Sequence, residues 1–239
     1  MFVVPNLGGG GAERTMLDIC THLDRASFEP VLVVGELKGS FCPRIPRDVL
    51  TISLDRPHVR DCIWVLARTM RVIKPDVVLS ALTHMNVTTI AAHSVSRSRS
   101  QIIVREESVY DKYRSLAPKT RQGFMDALVR VLYKKARRVV FVSNGAAAEF
   151  ESRFPGANRN RYQVMYYPVD IESIARLKQE PIEEEWWPLS RRTVISVGRL
   201  SQVKGYTYLL EAMQIVSGVL PDTRLVVLGC GEEEERLRE

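Results

Sequence analysis

No stretch of the 239-residue sequence approaches the roughly 20 consecutive apolar residues that a bilayer-spanning helix requires. Met1 runs straight into Phe2-Val3-Val4, without the basic segment and small-residue cleavage site of a secretory leader, so a cytoplasmic protein is expected. Cysteine is scarce. Cys20, Cys42, Cys62 and Cys230 form no Cys-x-x-Cys pair and none stands near a histidine at metal-ligand spacing, which argues against a disulfide scaffold or a zinc site and for reduced, mainly buried thiols. The phosphate-binding pattern Gly-x-x-x-x-Gly-Lys-Ser/Thr is missing, so a P-loop ATPase has no support. With 14 glycines, 12 prolines, 45% hydrophobic and 26% charged residues, the composition is that of a globular protein and excludes collagen, coiled coil and disorder.

What is present is a rhythm of short apolar runs and helical stripes. Phe2 to Val4, Val31 to Val34, Val77 to Leu79, Ile102 to Val104, Val139 to Val142 and Gln163 to Met165 read as strands. Between two of them, Val59, Ile63, Leu66, Met70 and Ile73 recur at helical spacing until Lys74-Pro75-Asp76 ends the stripe. Ala12, Met16, Cys20 and Leu23 make a second stripe after the opening glycines. Uniformly apolar strands alternating with helices predict a parallel sheet covered on both faces, a Rossmann-like α/β domain, because each crossover helix must bury its stripe on the sheet.

The texture changes from Gln179 to Arg192, where the acidic run Glu183-Glu184-Glu185 and then Trp186-Trp187-Pro188 read as a linker. The rhythm restarts with a strand at Val194 to Val197, a helix from about Tyr206 to Val216 with Leu209, Leu210, Met213 and Val216 facing inward, and a strand at Leu225 to Leu228. The expected organisation is a first domain over 1–178, a linker over 179–192, and the start of a second Rossmann-like domain over 193–239. Two strands and one full helix bury too little apolar area to make such a domain alone, so the chain is expected to stop inside it. Charge is uneven: residues 1–181 carry 27 Lys/Arg against 18 Asp/Glu, and residues 182–239 carry 7 against 10. The first part suits anionic partners as well as a well-solvated surface.

Two segments place chemistry where a strand gives way to a helix. In the first, Pro5-Asn6-Leu7-Gly8-Gly9-Gly10-Gly11-Ala12-Glu13-Arg14, glycines let a ligand approach the backbone, and the free N–H groups and dipole of the helix start favour an anion. As a dinucleotide fingerprint it is poor, because Glu13 stands where the third glycine would pack helix on strand; Glu36 after the second strand would then imitate the ribose-binding acid. The alternative to a binding loop is a tight turn needing positive φ, which four consecutive glycines exceed. In the second segment, Ser196-Val197-Gly198-Arg199-Leu200-Ser201-Gln202-Val203-Lys204-Gly205, the planar donor fork of Arg199 and the point charge of Lys204 suit a diphosphate.

Taken in order, the GGGGAER loop, Lys74-Pro75-Asp76-Val77-Val78, Val142-Ser143-Asn144-Gly145, Tyr167-Pro168-Val169-Asp170 and VGRLSQVKGYTYLLEA resemble the GT-B glycosyltransferases of family 4 over nearly the whole chain. The resemblance implies two Rossmann-like domains, an N-terminal one for the acceptor and a C-terminal one for most of the donor. It implies a retaining, hexosyltransferase-type enzyme, of the kind used in polysaccharide biosynthesis, taking a nucleoside-diphosphate sugar and a glycan, lipid-linked or small-molecule acceptor. Arg199 and Lys204 match the pair that holds the donor diphosphate, with Gly10 and Gly11 beside it and Gly9 toward the acceptor. No Asp-x-Asp occurs, which suits metal-independent chemistry with no cofactor. Two positions depart from the pattern: Tyr167 replaces the usual Asn, and Gly229-Cys230-Gly231-Glu232 replaces Gly-Asp-Gly-Pro. The Glu-x7-Glu element that grips the donor would fall beyond Glu239, so the chain is expected to be a fragment or an inactive truncated relative.

His84 follows a strand's carboxyl end, where ligands of α/β sheets gather, and either orients the acceptor hydroxyl or caps a helix start. Glu106, in Arg105-Glu106-Glu107-Ser108, takes the same logic, as a ligand for acceptor hydroxyls or the partner of an arginine. Arg130, Lys134, Lys135, Arg137 and Arg138, interleaved with Leu128, Val131, Leu132 and Tyr133, read as an amphipathic helix that packs on the sheet or touches anionic lipid at the inner face of the membrane. No nucleic-acid-binding signature accompanies that charge. Two readings stand beside the transferase: a non-catalytic Rossmann-like binding module, and an NAD-binding protein using the glycine loop and Glu36.

Overall fold

A computed structural model describes residues 1–8, 10–107, 118–184 and 192–238. Two compact units divide the chain, Met1–Asp170 and Ile171–Glu239. Gly9 and the Trp186-Trp187-Pro188 stretch of the expected linker lie outside the described residues.

The first unit is built on seven strands: β1 (Phe2–Val4), β2 (Val31–Val34), β3 (Leu50–Ser53), β4 (Val77–Ala81), β5 (Gln101–Glu106), β6 (Arg138–Phe141) and β7 (Tyr162–Val164). They form one sheet in the order β3-β2-β1-β4-β5-β6-β7, every neighbour parallel. Five helices connect them among the described residues: α1 (Gly11–His22), α2 (Cys62–Ile73), α3 (Thr83–Ser96), α4 (Lys119–Leu132) and α5 (Asn144–Arg153). Side chains of a strand alternate between faces. Phe2, Val4, Leu32 and Val34 accordingly pack with Met16, Leu17 and Cys20 of α1, whereas Val3, Val31 and Val33 pack with Leu66 and Met70 of α2 and Ile90 of α3. Burial on both faces is why these strands read as unbroken apolar runs.

Local chemistry fixes the turns. Lys74 ends α2 in the left-handed region (φ 50°), its N–H bonded to Met70 O at 2.9 Å. Ser143 accepts from Ala146 N at 3.1 Å and caps α5, which explains the Val142-Ser143-Asn144-Gly145 segment. Strand β3 escapes sequence reading because Leu-Thr-Ile-Ser is a short edge strand with Leu50 exposed.

The basic stretch is not one helix. Helix α4 ends at Leu132, a 3-10 turn spans Tyr133–Lys135, and Ala136 turns extended (φ −69°, ψ 140°) as Arg137 N bonds Ile102 O and feeds β6. Val129 and Tyr133 are buried, Leu128 and Leu132 pack against the same core, and of the expected stripe Val131 alone is exposed.

The second unit holds α6 (Ile171–Leu177), β8 (Thr193–Val197), α7 (Tyr206–Val219), β9 (Arg224–Leu228) and α8 (Glu234–Arg238). Helix α6, grouped with the first domain on sequence, falls here. Strands β8 and β9 pair in parallel as a two-stranded sheet. Of the stripe expected to face inward on α7, Leu209 and Met213 are half-buried but Leu210 and Val216 are exposed, because two strands are too narrow to cover it.

Candidate active site

The strand order reverses between β1 and β4: the chain builds β1, β2 and β3 outward in one direction, then starts again at β4 on the other side of β1. Neighbouring connections leave the sheet in opposite directions at such a point and open a crevice outside the carboxyl ends of the two strands. Phe2 is in register with Leu79 and Val3 with Ser80. The glycine loop leaving β1 and His84 following β4 therefore start from strands about 5 Å apart. Sequence placed each at a strand end; only the pairing of β1 with β4 brings them together.

The glycines are not explained by the turn's own backbone. Gly8, Gly10 and Gly11 have no positive φ, and a Cβ added at Gly11 would meet nothing within 4 Å. Gly10 is the N-cap of α1, with no side-chain cap. The Glu13 carboxylate curls back beside Gly10, so the helix start already has an anion near it. The loop is held from behind: Leu7, fully buried, donates its N–H to Lys38 O at 2.9 Å and accepts from Phe41 N at 3.1 Å. That close approach is why position 39 is glycine, since its φ is 123° and a Cβ there would overlap the Leu7 backbone. Glu36 is ion-paired with Lys38.

His84 is the second residue of α3 and is exposed. Crowding by its neighbours, with Arg121 adding repulsion, holds its imidazole below the ordinary histidine value, so it is neutral at pH 7. Leu82, just before α3, has φ 74° and ψ 127°, a region costing a non-glycine residue about 1–3 kcal/mol. Such strain persists only where surrounding bonds over-determine it, and here they do. Asn86, fully buried, donates to Arg105 O at 2.9 Å and Glu106 Oε1 at 3.1 Å, accepts from Ser80 Oγ at 2.7 Å, and bonds Leu82 O through its backbone N–H. Thr83 Oγ1 donates to Glu106 Oε2 at 2.7 Å, and the Tyr133 hydroxyl donates to Glu106 Oε1.

Glu106 thus sits inside the domain, 3% exposed, with its carboxyl group engaged by three side chains rather than presented to the crevice. Its partner is not an arginine. Burial pushes its pKa up, and the bonds from Tyr133, Thr83 and Asn86 offset this only in part. Beside it, Arg105 is fully buried, donating from Nε to Glu107 Oε1 at 2.6 Å, with the Tyr167 ring 5.3 Å from its guanidinium carbon. The Tyr167 hydroxyl donates to Glu107 O at 2.8 Å. The departure at 167 therefore has a structural job, closing over a buried ion pair. Sequence position gives no signal for Asn86 or for Tyr133, which reads only as one more apolar residue in a basic stretch, although both hold Glu106.

In the second unit, the turn leaving β8 is zipped to the turn leaving β9: Gly198 N bonds Leu228 O and Leu200 N bonds Cys230 O, both at 3.0 Å. A Cβ at Gly229 would overlap Gly198 O, and one at Gly231 would overlap Leu200 O, which explains the spacing of the Gly229-Cys230-Gly231 segment. Gly205 starts α7 from the left-handed region (φ 68°), and the buried Tyr206 donates its hydroxyl to Gly198 O at 3.2 Å. This scaffold holds Arg199 and Lys204, both exposed and neither paired with a carboxylate among the described residues.

A doubly wound parallel sheet with a glycine loop at its switch point, followed by a second β/α unit with a cationic strand-to-helix turn, defines a Rossmann-like α/β protein of the GT-B kind. Residues 9–173 match the model of Glycosyltransferase Family 4, and residues 178–239 match that of glycosyl transferases group 1. The chain belongs to glycosyltransferase family 4. An uncharacterized glycosyltransferase of Methanocaldococcus jannaschii is 22% identical over 186 residues, covering 73% of this chain and 44% of the relative. One of Haemophilus influenzae is 34% identical over 82 residues, covering 34% of this chain and 23% of the relative. The chain thus spans less than half the length of these relatives. Among solved structures, Anabaena HepE in complex with UDP superposes with a TM-score of 0.67 at 17% identity, covering 99% of this chain and 63% of that one. Sucrose-phosphate synthase of Thermosynechococcus elongatus gives 0.66 at 13% identity, covering 99% and 64%.

Proposed function

We propose that this chain is the acceptor domain and the beginning of the donor domain of a glycosyltransferase that moves a sugar, with retention, from a nucleoside diphosphate to a glycan, lipid-linked or small-molecule acceptor. The observation that carries the reading is the pairing of β1 with β4, which sets the glycine loop and His84 on one crevice in a chain whose sequence matches family 4.

Each residue has a task in this reading. Arg199 and Lys204 meet the negative charge that grows on the diphosphate as the glycosidic bond breaks, the forked guanidinium bridging oxygens and the ammonium adding a point charge. In this reading two cations supply that charge without a metal. Gly10 and Gly11, with no side chain of their own, let the donor's reacting end approach the backbone of the α1 start; the Glu13 carboxylate there suits a hydroxyl-bearing sugar better than a phosphate. His84, neutral at pH 7, hydrogen-bonds the acceptor hydroxyl. Glu106 serves by positioning, locking the β4–α3 turn that carries His84.

Titration of the chain with UDP, GDP and NADH tests the reading. Binding of a nucleoside diphosphate, weakened at least tenfold by Lys204→Ala, is the expected result. Binding of NADH lost with Glu36→Ala would replace it with the dinucleotide reading, and failure to bind any of the three would leave a non-catalytic module.

A further inference from the structure

Each turn entering β4 to β7 carries arginine or lysine: Arg71 and Lys74, with Asp76 beside them, before β4; Arg97 and Arg99 before β5; Lys134, Lys135 and Arg137 before β6; Arg159 and Arg161 before β7. The strands are parallel neighbours, so these turns share one edge of the sheet. Most of this charge has a structural explanation. Helices α2 to α5 end here, and cations offset the partial negative charge at the carboxyl end of a helix. Arg71 donates to Val95 O at 2.9 Å, Arg161 donates to Ala136 O at 3.0 Å, and Arg159 pairs with Glu151. A cavity between the ends of α4 and α5 combines features that helix ends do not require.

This cavity, of about 430 Å³, is walled by Tyr133, Phe150, Phe154 and Tyr162 and rimmed by Arg130, Lys134 and Arg161. Its size falls within the roughly 300–1,000 Å³ common for small-molecule sites. The rings are braced against one another. Tyr133 stacks on Phe150 with centroids 5.8 Å apart, Phe150 meets Phe154 at 4.6 Å, and Tyr162 stands edge-on to Phe150 at 6.0 Å. The bond from the Tyr133 hydroxyl to Glu106 holds that ring in place, so the space is preformed and a ligand need not order it.

The polar groups at the cavity are donors. No residue lining it is acidic, and Arg130, Lys134 and Arg161 pair with no carboxylate among the described residues. The Tyr162 hydroxyl is buried and has no hydrogen-bond partner, a state that native structures rarely leave unanswered. Burial, aided by the Glu151 charge, holds its phenol above the ordinary tyrosine value, so it keeps its proton to donate. Glu151 itself is paired with Arg159. The side-chain oxygen of Asn158, also at the cavity, is already taken by Asn160 N at 3.1 Å. Donors without an acceptor call for a group that only accepts, such as a carboxylate or sulfonate. A wall of rings calls for a flat apolar body, which water or an inorganic anion does not supply.

We propose that this cavity binds a small monoanion with a flat, ring-shaped apolar body, an aromatic carboxylate or sulfonate. The site lies at the amino ends of β6 and β7, whereas the β1/β4 crevice lies at carboxyl ends, and the proposal does not rest on the transferase reading.

Fluorescence titration of the 239-residue protein with anilinonaphthalene sulfonate tests this. A saturable site with Kd on the order of 10–100 µM is expected, displaced by naphthoate. The uncharged phenyl-naphthylamine, the same ring body without the sulfonate, should bind at least tenfold more weakly. Arg130→Gln/Lys134→Gln, at two exposed rim positions, should also weaken the dye at least tenfold with melting unchanged. Lys135→Gln removes a neighbouring cation that bonds Ser94 Oγ at 3.0 Å and does not line the cavity, and should leave binding within about twofold. Dye on exposed apolar side chains of the second unit, such as Val197 and Val219, would not respond to positions 130 and 134, so the variants separate it. Equal binding of the uncharged dye, full retention by Arg130→Gln/Lys134→Gln, or an equal loss with Lys135→Gln would each overturn the proposal. So would displacement by inorganic sulfate as readily as by naphthoate, which would make the cavity a plain anion site, or tighter binding of UMP than of naphthoate, which would make it a nucleotide site.

Discussion

Replacing Glu106 with alanine probes the reasoning most directly, because the structure gives that residue a positioning role where its sequence position suggested contact with substrate. The change removes three hydrogen bonds inside the first unit. Asn86 keeps Arg105 O, but the Thr83 and Tyr133 hydroxyls lose their acceptor. Each orphaned buried group costs about 1–3 kcal/mol, and removing the desolvated carboxyl returns some of that, so a net loss of about 3 kcal/mol is expected. In a unit of this size that lowers Tm by roughly 6–12 °C. Glu106→Gln keeps shape and most bonds and should cost under about 1.5 kcal/mol. The pair also has a pH signature. The folded pKa of Glu106 is raised, so the folded state holds its proton more tightly than the unfolded chain. Wild-type stability from this group is therefore fully present below the ordinary carboxylate range and is lost as pH rises through the folded pKa. Thermal melts of both proteins across pH 4 to 8 should show Glu106→Gln gaining on wild type as pH rises. A Glu106→Ala loss below about 1 kcal/mol, or a gap that does not move with pH, would refute the network as described.

Gly11→Ala should leave the fold unchanged or raise its stability by about 0.5–1 kcal/mol, since its Cβ meets nothing, yet weaken ligand binding at the crevice; Gly39→Ala should instead destabilise strongly, as a chemical denaturation series would show. Leu82→Gly relieves a strained φ and should cost less than about 1 kcal/mol by the same measurement. Tyr133→Phe takes one hydrogen bond from Glu106 and should lower stability by about 1–2 kcal/mol while raising that carboxyl's pKa further, readable by NMR titration. Arg199→Ala, in an enzyme with a complete donor domain, should cut kcat/KM about 100-fold or more with the melting temperature unchanged; unchanged turnover would remove Arg199 from the chemistry.

Much of the fold could be read from the chain because its signals are local. The apolar runs at Phe2 to Val4 and Val31 to Val34 are strands with those bounds, and Lys74 ends α2 where the stripe stops. Strand β3 is hard to see because an edge strand needs only weak patterning, and the basic stretch reads as one helix although it passes at Tyr133, whose hydroxyl bonds Glu106, into a 3-10 turn.

The α/β alternation, the glycine loop at a strand's end and the cation pair at 199 and 204 are legible along the chain, since periodicity and turn chemistry are written within a few residues. Tertiary structure alone decided which strands are neighbours. Parallel pairing joins positions such as Phe2 and Leu79, too far apart for any local pattern to link. The assembled sheet starts the glycine loop and His84 from adjacent strands, encloses Glu106 among Thr83, Asn86 and Tyr133, and gathers four scattered basic turns along one edge.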